Sequence, residues 1–202
     1  FGISIDFPGY YNATWNQAIA ETNIDVGLGD GVITNIMGYR QFRSRAASDI
    51  DGTPQHFFNG YFNINQEQIS DELRYSGKIG AVEVTTGLYY FAQDLAYAEQ
   101  RDLLGGARIL SGGGTQDQTT WGAFASADWH FSNTLTLNIG GRYSWERKAV
   151  RIAPLGANGC DVNTLRCATN FIDDESWKSF TPKLGLQWQP DNQTQIYGFY
   201  TR

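Results

Sequence analysis

Long stretches of this chain alternate between apolar and polar side chains with a period of two. Over residues 134–150, Leu135, Leu137, Ile139, Gly141, Tyr143 and Trp145 fall on one side. Thr136, Asn138, Gly140, Arg142, Ser144 and Glu146 fall on the other. Successive side chains of a strand point to opposite faces, so this split predicts a strand between an apolar and a wet environment. Over 117–131, Trp121, Ala123, Ala125, Ala127, Trp129 and Phe131 share a face, aromatic at its ends and small between. Over 175–189, Phe180, Pro182, Leu184, Leu186 and Trp188 alternate with Ser179, Thr181, Lys183, Gly185 and Gln187. Eight strands are predicted, at 18–29, 31–46, 63–75, 79–92, 117–131, 134–150, 175–189 and 194–202. The faces of strand 31–46 stay unassigned because Val32 and Ile33 are adjacent.

The connections also form a pattern. Gly29-Asp30-Gly31, Ser76-Gly77-Lys78, Ser132-Asn133 and Pro190-Asp191-Asn192-Gln193 are residue types that reverse a chain with little strain. Residues 47–62, 93–116 and 151–174 read as long loops, rich in Gly, Asp, Asn and Ala. Short and long connections alternate, which predicts that every long loop lies at one end. Outer-membrane barrels have this asymmetry, with short periplasmic turns and long outer loops. The expected fold is therefore all-β: an antiparallel up-and-down meander forming part of a transmembrane β-barrel.

Composition narrows the alternatives. The hydrophobic fraction is 41% and mean hydropathy −0.39. No apolar run approaches the roughly 18 to 20 residues of a membrane-spanning helix. That excludes a helical membrane protein but not a barrel, whose strands alternate. Aromatic residues make up 14% and glycine occurs 23 times, which suits strands and turns better than helices. A net charge of −6 without a basic patch argues against nucleic acid as a partner. Cys160 and Cys167 lie close together in a Gly-, Asn- and Pro-containing segment with no further zinc ligands. A local structural disulfide is expected, with two free cytosolic thiols as the competing reading.

Parity picks out two sets of side chains. Trp121, Trp129, Tyr143, Trp145 and Trp188 form the expected lipid-facing girdle, since indole and phenol rings favour the membrane–water boundary. Glu72, Arg74, Arg142, Glu146 and Lys183 fall on the opposite, lumen-facing side. They could guide a ligand, but a ladder of ion pairs and hydrogen bonds across neighbouring strands is the favoured reading. Asp49 and Asp51 with Gly52 contain part of a calcium-loop pattern; turn chemistry accounts for them better. Asp173, Asp174 and Glu175 read as a solvated loop face rather than a cation site among lipopolysaccharide phosphates. Gly105-Gly106 and Gly112-Gly113-Gly114 read as a flexible outer loop. His56 and His130 have no catalytic or metal partner at useful spacing, and no Ser/His/Asp triad or nucleophile elbow is arranged. Catalytic residues, metal ligands and cofactors are accordingly not expected.

Several stretches, in order, resemble the barrel domain of TonB-dependent receptors. They are Ile33-Thr34-Asn35-Ile36-Met37-Gly38-Tyr39-Arg40 with the following Asp49-Ile50-Asp51-Gly52-Thr53-Pro54, Gln68-Ile69-Ser70-Asp71-Glu72-Leu73-Arg74-Tyr75, and Gly87-Leu88-Tyr89-Tyr90-Phe91. Leu137 to Tyr143, Trp177 to Leu186 and Gln195 to Arg202 continue the series. The resemblance implies that residues 1–202 are a middle slice of a barrel of roughly 22 strands, without the plug domain and the C-terminal strands. It implies a transporter in the outer membrane of a Gram-negative bacterium, not an enzyme. The implied cargo is a scarce nutrient, by default a ferric siderophore or other metal chelate. The implied partners are the TonB–ExbB–ExbD complex acting through the plug, with lipopolysaccharide and outer-membrane lipid around the wall. The alternative is a passive or structural eight-stranded barrel without TonB coupling.

Overall fold

A computed structural model describes residues 4–202. The strands are β1 (Tyr10–Val26), β2 (Gly31–Asp49), β3 (Phe58–Ile79), β4 (Val82–Leu103), β5 (Arg108–His130), β6 (Leu135–Gly156), β7 (Cys160–Asp161), β8 (Arg166–Cys167), β9 (Phe171–Trp188) and β10 (Ile196–Thr201). Eight of them form one antiparallel sheet in the order β1-β2-β3-β4-β5-β6-β9-β10, while β7 and β8 form a separate small hairpin. Each long strand pairs with its neighbours in sequence, as in a meander. The sheet is open, with β1 and β10 at its edges.

The predicted number of long strands is right, but most are longer than the sequence pattern shows. β1 starts at Tyr10 rather than 18, β3 at Phe58 rather than 63, β5 at Arg108 rather than 117 and β9 at Phe171 rather than 175. The supposed loops 47–62 and 93–116 shrink to 50–57 and 104–107. Short and long connections therefore do not alternate without exception: 104–107 is as brief as the turn at 27–30. The glycines were misleading. Gly112, Gly113 and Gly114 are inside β5, beside a register shift between Ser111 and Gly113. A Cβ on Gly113 (φ +148°) would stand 2.2 Å from the Tyr97 carbonyl oxygen, and one on Gly114 would stand 2.2 Å from that of Arg151. These residues mark a bulged strand squeezed between two neighbours, not a flexible loop.

The turn predicted at Ser76-Gly77-Lys78 also moves. Pairing continues to Ile79–Val82, and the chain reverses at Gly80-Ala81. Gly80 has φ +63°, which suits the first central position of a two-residue hairpin turn. Gly77 stays extended because it makes room for a ring: an added Cβ would meet the Tyr75 hydroxyl at 2.2 Å. That hydroxyl donates a 2.7 Å hydrogen bond to the Leu28 carbonyl. Tyr75 thus braces the neighbouring turn, a short 3₁₀ segment at Leu28–Asp30.

Among the described residues no second layer covers the sheet, and the buried apolar side chains are only Ala47, Ala98, Ala153 and Cys160. Large ones stand in the open: Trp121 is 53% exposed, Ile139 50% and Phe180 59%. A soluble sandwich would bury that row against a facing sheet. The one local core sits at the loop end, where Val162, Leu165 and Cys167 of the β7–β8 segment pack on Ala98 and Ala153.

Candidate functional site

The sheet's two faces are its functional feature. Residues paired across an antiparallel ladder project to the same side. One such row is Asn35–Leu73–Leu88–Ala123–Tyr143–Phe180; a lower one is Val84–Ala127–Ile139–Leu184–Tyr200. Above them Tyr90, Trp121 and Trp145 are directly paired, with the Tyr90 and Trp121 rings 4.5 Å apart. Below them lie Trp129 and Trp188. All five girdle residues named from sequence share this face. Trp121 and Trp129 are eight residues apart, about 26 Å along the strand; at a strand tilt of about 40° this spans roughly 20 Å of an apolar band about 25 Å tall.

The band's upper edge is slanted relative to the ladder. On β2 it is at Tyr39, whose row continues through Ile69, Ala92, Thr119 and Arg147 to Ser176 on β9. On β9 itself the aromatic residue is Phe180, four residues lower along the band. The edge thus slides by about one residue per strand, the stagger expected of strands tilted by roughly 35–45°.

The opposite face is polar. Its central row is Arg40–Gln68–Gln93–Gln118–Lys148–Glu175. Gln66 and Gln68 both donate to the Gln93 side-chain oxygen, at 2.8 and 2.5 Å. The Arg40 guanidinium lies 3.7 Å from the centre of the Trp15 ring. Glu72, Arg74, Arg142, Glu146 and Lys183 are all on this side. The structure does not bring them into one cluster. Glu72 and Arg74 pair with each other at 3.3 Å, Glu146 pairs with Lys148 at 2.8 Å, and Arg142 donates to Ser144 at 3.0 Å. These contacts run along a strand, from i to i+2, rather than across neighbouring strands as expected. Lys183 lines a concavity near the turn end with Asp128, His130, Thr136, Asn138 and Tyr197.

Sequence reasoning missed part of this inventory. The glutamine patch is spread over three strands and shows only once they are in register. Asn35 and Asp71 form a polar pair within the apolar face, at 2.5 Å; counting by twos from Tyr75 would have found Asp71. His130, read from sequence as an ordinary polar residue, has its Nδ1 2.9 Å from the Thr136 hydroxyl and its Nε2 3.4 Å from Glu83.

The loop-end carboxylates act as turn formers. Asp49 accepts the Gly52 amide at 2.9 Å. Asp51 accepts the Thr53 hydroxyl and the Thr53 and Phe58 amides. The Thr53 hydroxyl first, then those amides, hold the Asp51 carboxyl below its ordinary value. Asp161 is lowered in the same way, mainly by the Asn163 amide and then by Thr164. Asp173, Asp174 and Glu175 are not a loop face: they belong to β9, where the pleat sends Asp174 to the side opposite its neighbours. Among the described residues no group of three His, Cys, Asp or Glu side chains could hold a metal ion. Cys160 and Cys167 are joined by a disulfide across the β7–β8 pair.

A single-layer meander with an aromatic-edged apolar band on one side and a polar lining on the other is a segment of a transmembrane β-barrel wall. The family model described as TonB dependent receptor-like, beta-barrel matches residues 2–202. The chain belongs to this family, whose members are outer-membrane transporters and not enzymes. Among solved structures it is similar to the ferric yersiniabactin uptake receptor FyuA from Yersinia pestis, with TM-score 0.74 and 16% identity over 95% of this chain and 28% of that one. It is also similar to the siderophore receptor PiuA from Acinetobacter baumannii, with TM-score 0.68 and 13% identity over 96% of this chain and 32% of that one. The open form of the Ferric-Catecholate import receptor Fiu from E. coli K12 gives TM-score 0.66 and 11% identity, over 98% and 36%. The chain thus spans about a third or less of the first two. No curated protein matches it.

Proposed function

We propose that this chain forms eight strands of the wall of a TonB-energised importer for a ferric siderophore. The observation that carries the reading is the family match over nearly the whole chain. The receptors with similar folds support the cargo, since their descriptions name ferric yersiniabactin, siderophore and ferric catecholate. In this reading the apolar band faces outer-membrane lipid and the polar face lines the lumen. Residues outside this stretch supply the plug, the TonB–ExbB–ExbD contact and the remaining strands. Glu72, Arg74, Arg142, Glu146 and Lys183 line the path and Trp121, Trp129, Tyr143, Trp145 and Trp188 anchor the wall at the two lipid boundaries. The open sheet favours this over a closed eight-stranded barrel, which would need β1 paired with β10.

The test is uptake of a radiolabelled ferric siderophore by cells with and without the gene. Uptake should require the gene and TonB, and should stop when a protonophore collapses the inner-membrane potential. Gene-dependent uptake that persists without TonB would select the passive barrel instead.

A further inference from the structure

The outward side of the wall continues beyond the aromatic edge, where its character changes. On β1, β2 and β3 the paired rows there are Thr14–Arg43–Asn65 and Asn12–Arg45–Asn63. Each arginine is flanked on both sides by uncharged side chains at the strand spacing of about 4.8 Å. These rows line a groove of about 730 Å³, whose other wall is the β7–β8 hairpin at Asn163 and Leu165. The hairpin is held in place. Asn63 donates to the Val162 carbonyl at 2.9 Å, the Cys160 amide donates to the Ser111 hydroxyl at 2.9 Å, and the disulfide closes its base.

We propose that this groove binds the phosphorylated sugar headgroup of an outer-leaflet glycolipid. The inference rests on the membrane orientation proposed above. Position is the first argument. Arg43 and Arg45 lie four and six residues beyond Tyr39 at the band's edge, or about 13 and 20 Å along the strand. With strands tilted by about 40° the groove stands roughly 10–15 Å above the hydrocarbon edge, in the headgroup zone.

Chemistry is the second argument. Guanidinium forks bind phosphate oxygens bidentately, and the exposed Asn12 amide and Thr14 hydroxyl suit sugar hydroxyls, while Asn63 is committed to Val162 and Asn65 accepts from Arg43. No carboxylate lines the groove. Two acidic groups border it: Glu67 lies 3.8 Å from Arg43 and also accepts from Gln41, and the Asp161 carboxylate of the hairpin is taken up by the Asn163 and Thr164 amides. Asp94 and Asp117 extend the Glu67 row on β4 and β5, away from Arg45. Arg45 is exposed and in no ion pair among the described residues. It is the free cation to which a phosphate would bind.

The experiment compares the whole receptor with its Arg43→Gln/Arg45→Gln variant, each reconstituted in vesicles containing lipopolysaccharide. Bound glycolipid is counted by native mass spectrometry after mild extraction. The variant should retain at least tenfold less. Arg147→Gln, an arginine outside the groove and paired with Asp174, should retain as much as the parent. Equal retention by the double variant would overturn the proposal, as would equal binding of enzymatically dephosphorylated glycolipid. Displacement by millimolar inorganic phosphate would reduce the groove to a site for a free anion and also overturn it. Both substituted side chains are exposed, so heat-modifiable gel mobility should be unchanged. A fluorescence quencher in the acyl chains, read from a label at position 139, reports orientation separately. No quenching there refutes the orientation; quenching with undiminished glycolipid refutes the groove alone.

Discussion

Ile139 and Asn138 are adjacent on β6 and project to opposite faces. Ile139 is half exposed, with Ala127 and Leu184 as its cross-strand partners. Tyr143 lies four residues above it and Leu135 four below, each about 13 Å away along the strand. A lysine at 139 has a four-carbon stem too short to carry its ammonium to either boundary. Snorkelling therefore cannot rescue it, and Ile139→Lys should cost about 2–4 kcal/mol, the range for a basic residue at the bilayer midplane. Asn138→Lys faces the polar side beside Asp128, to which Asn138 is hydrogen-bonded. Its cost should stay within about 1 kcal/mol. The assay is reversible urea unfolding of the receptor in vesicles, followed by tryptophan fluorescence. The difference between the two variants, at least about 1 kcal/mol, corresponds to roughly fivefold or more in the unfolding constant. A cost below about 1 kcal/mol at 139, or equal costs at the two positions, would refute the assignment of lipid to the Leu137–Ile139 side.

Gly113→Ala should destabilise the loop end of β5 by about 1–3 kcal/mol, because the new methyl group meets the Tyr97 carbonyl at a φ that L-residues rarely adopt; urea unfolding and loss of amide protection near Tyr97 measure it. Intact receptor purified without reductant should show no free thiol at Cys160 or Cys167, and reducing it should speed amide exchange at Leu165 and Ala168, which bond within the hairpin segment. The Asp51 carboxyl, lowered first by the Thr53 hydroxyl, favours the ordered loop 50–57 at any pH above its ordinary value of 3.8, and that preference fades as pH falls through the lower folded value. The Phe58 amide resonance should report this titration below pH 3.8, and Asp51→Asn should abolish it.

The two-sidedness of the wall was legible in the sequence because it rests on a local rule. Leu135 to Trp145 alternate strictly, and Trp121 to Trp129 do so apart from Phe124, so a strand of such composition must place the apolar set on one side. Strand ends were not legible, because they depend on a neighbour. Tyr10 to Gln17 has no clean alternation, and it is a strand only because each residue has a partner on β2 from Ala47 to Arg40. Gly77 and Gly113 carry the composition of turns and the geometry of close contacts, with Tyr75 in one case and the Tyr97 carbonyl in the other. A glycine reports that a Cβ is unwelcome; whether a turn or a neighbour excludes it becomes visible only in register. The groove had no sequence signal at all. Asn12, Arg45 and Asn63 are far apart along the chain and meet through two ladders.

The same reasoning explains why the polar side reads as ordinary on each strand and distinctive only as a sheet. Along β3 alone, Gln66 and Gln68 are two polar residues at period two. Paired with Gln93 and followed across by Gln118, they become a patch of amides between Arg40 and Lys148. An amide both donates and accepts, so such a lining holds itself together without charge, as the two bonds to Gln93 show. Glu72–Arg74, Glu99–Arg101 and Glu146–Lys148 pair along their own strands, and Lys78–Glu83 pairs across β3 and β4. A lining of this kind stays wetted without gripping an ion strongly, whereas a row of unpaired like charges would trap counter-ions in the path. On physical grounds a transport wall needs an apolar side that fixes its depth and a polar side that binds only weakly, and the register of these eight strands supplies both.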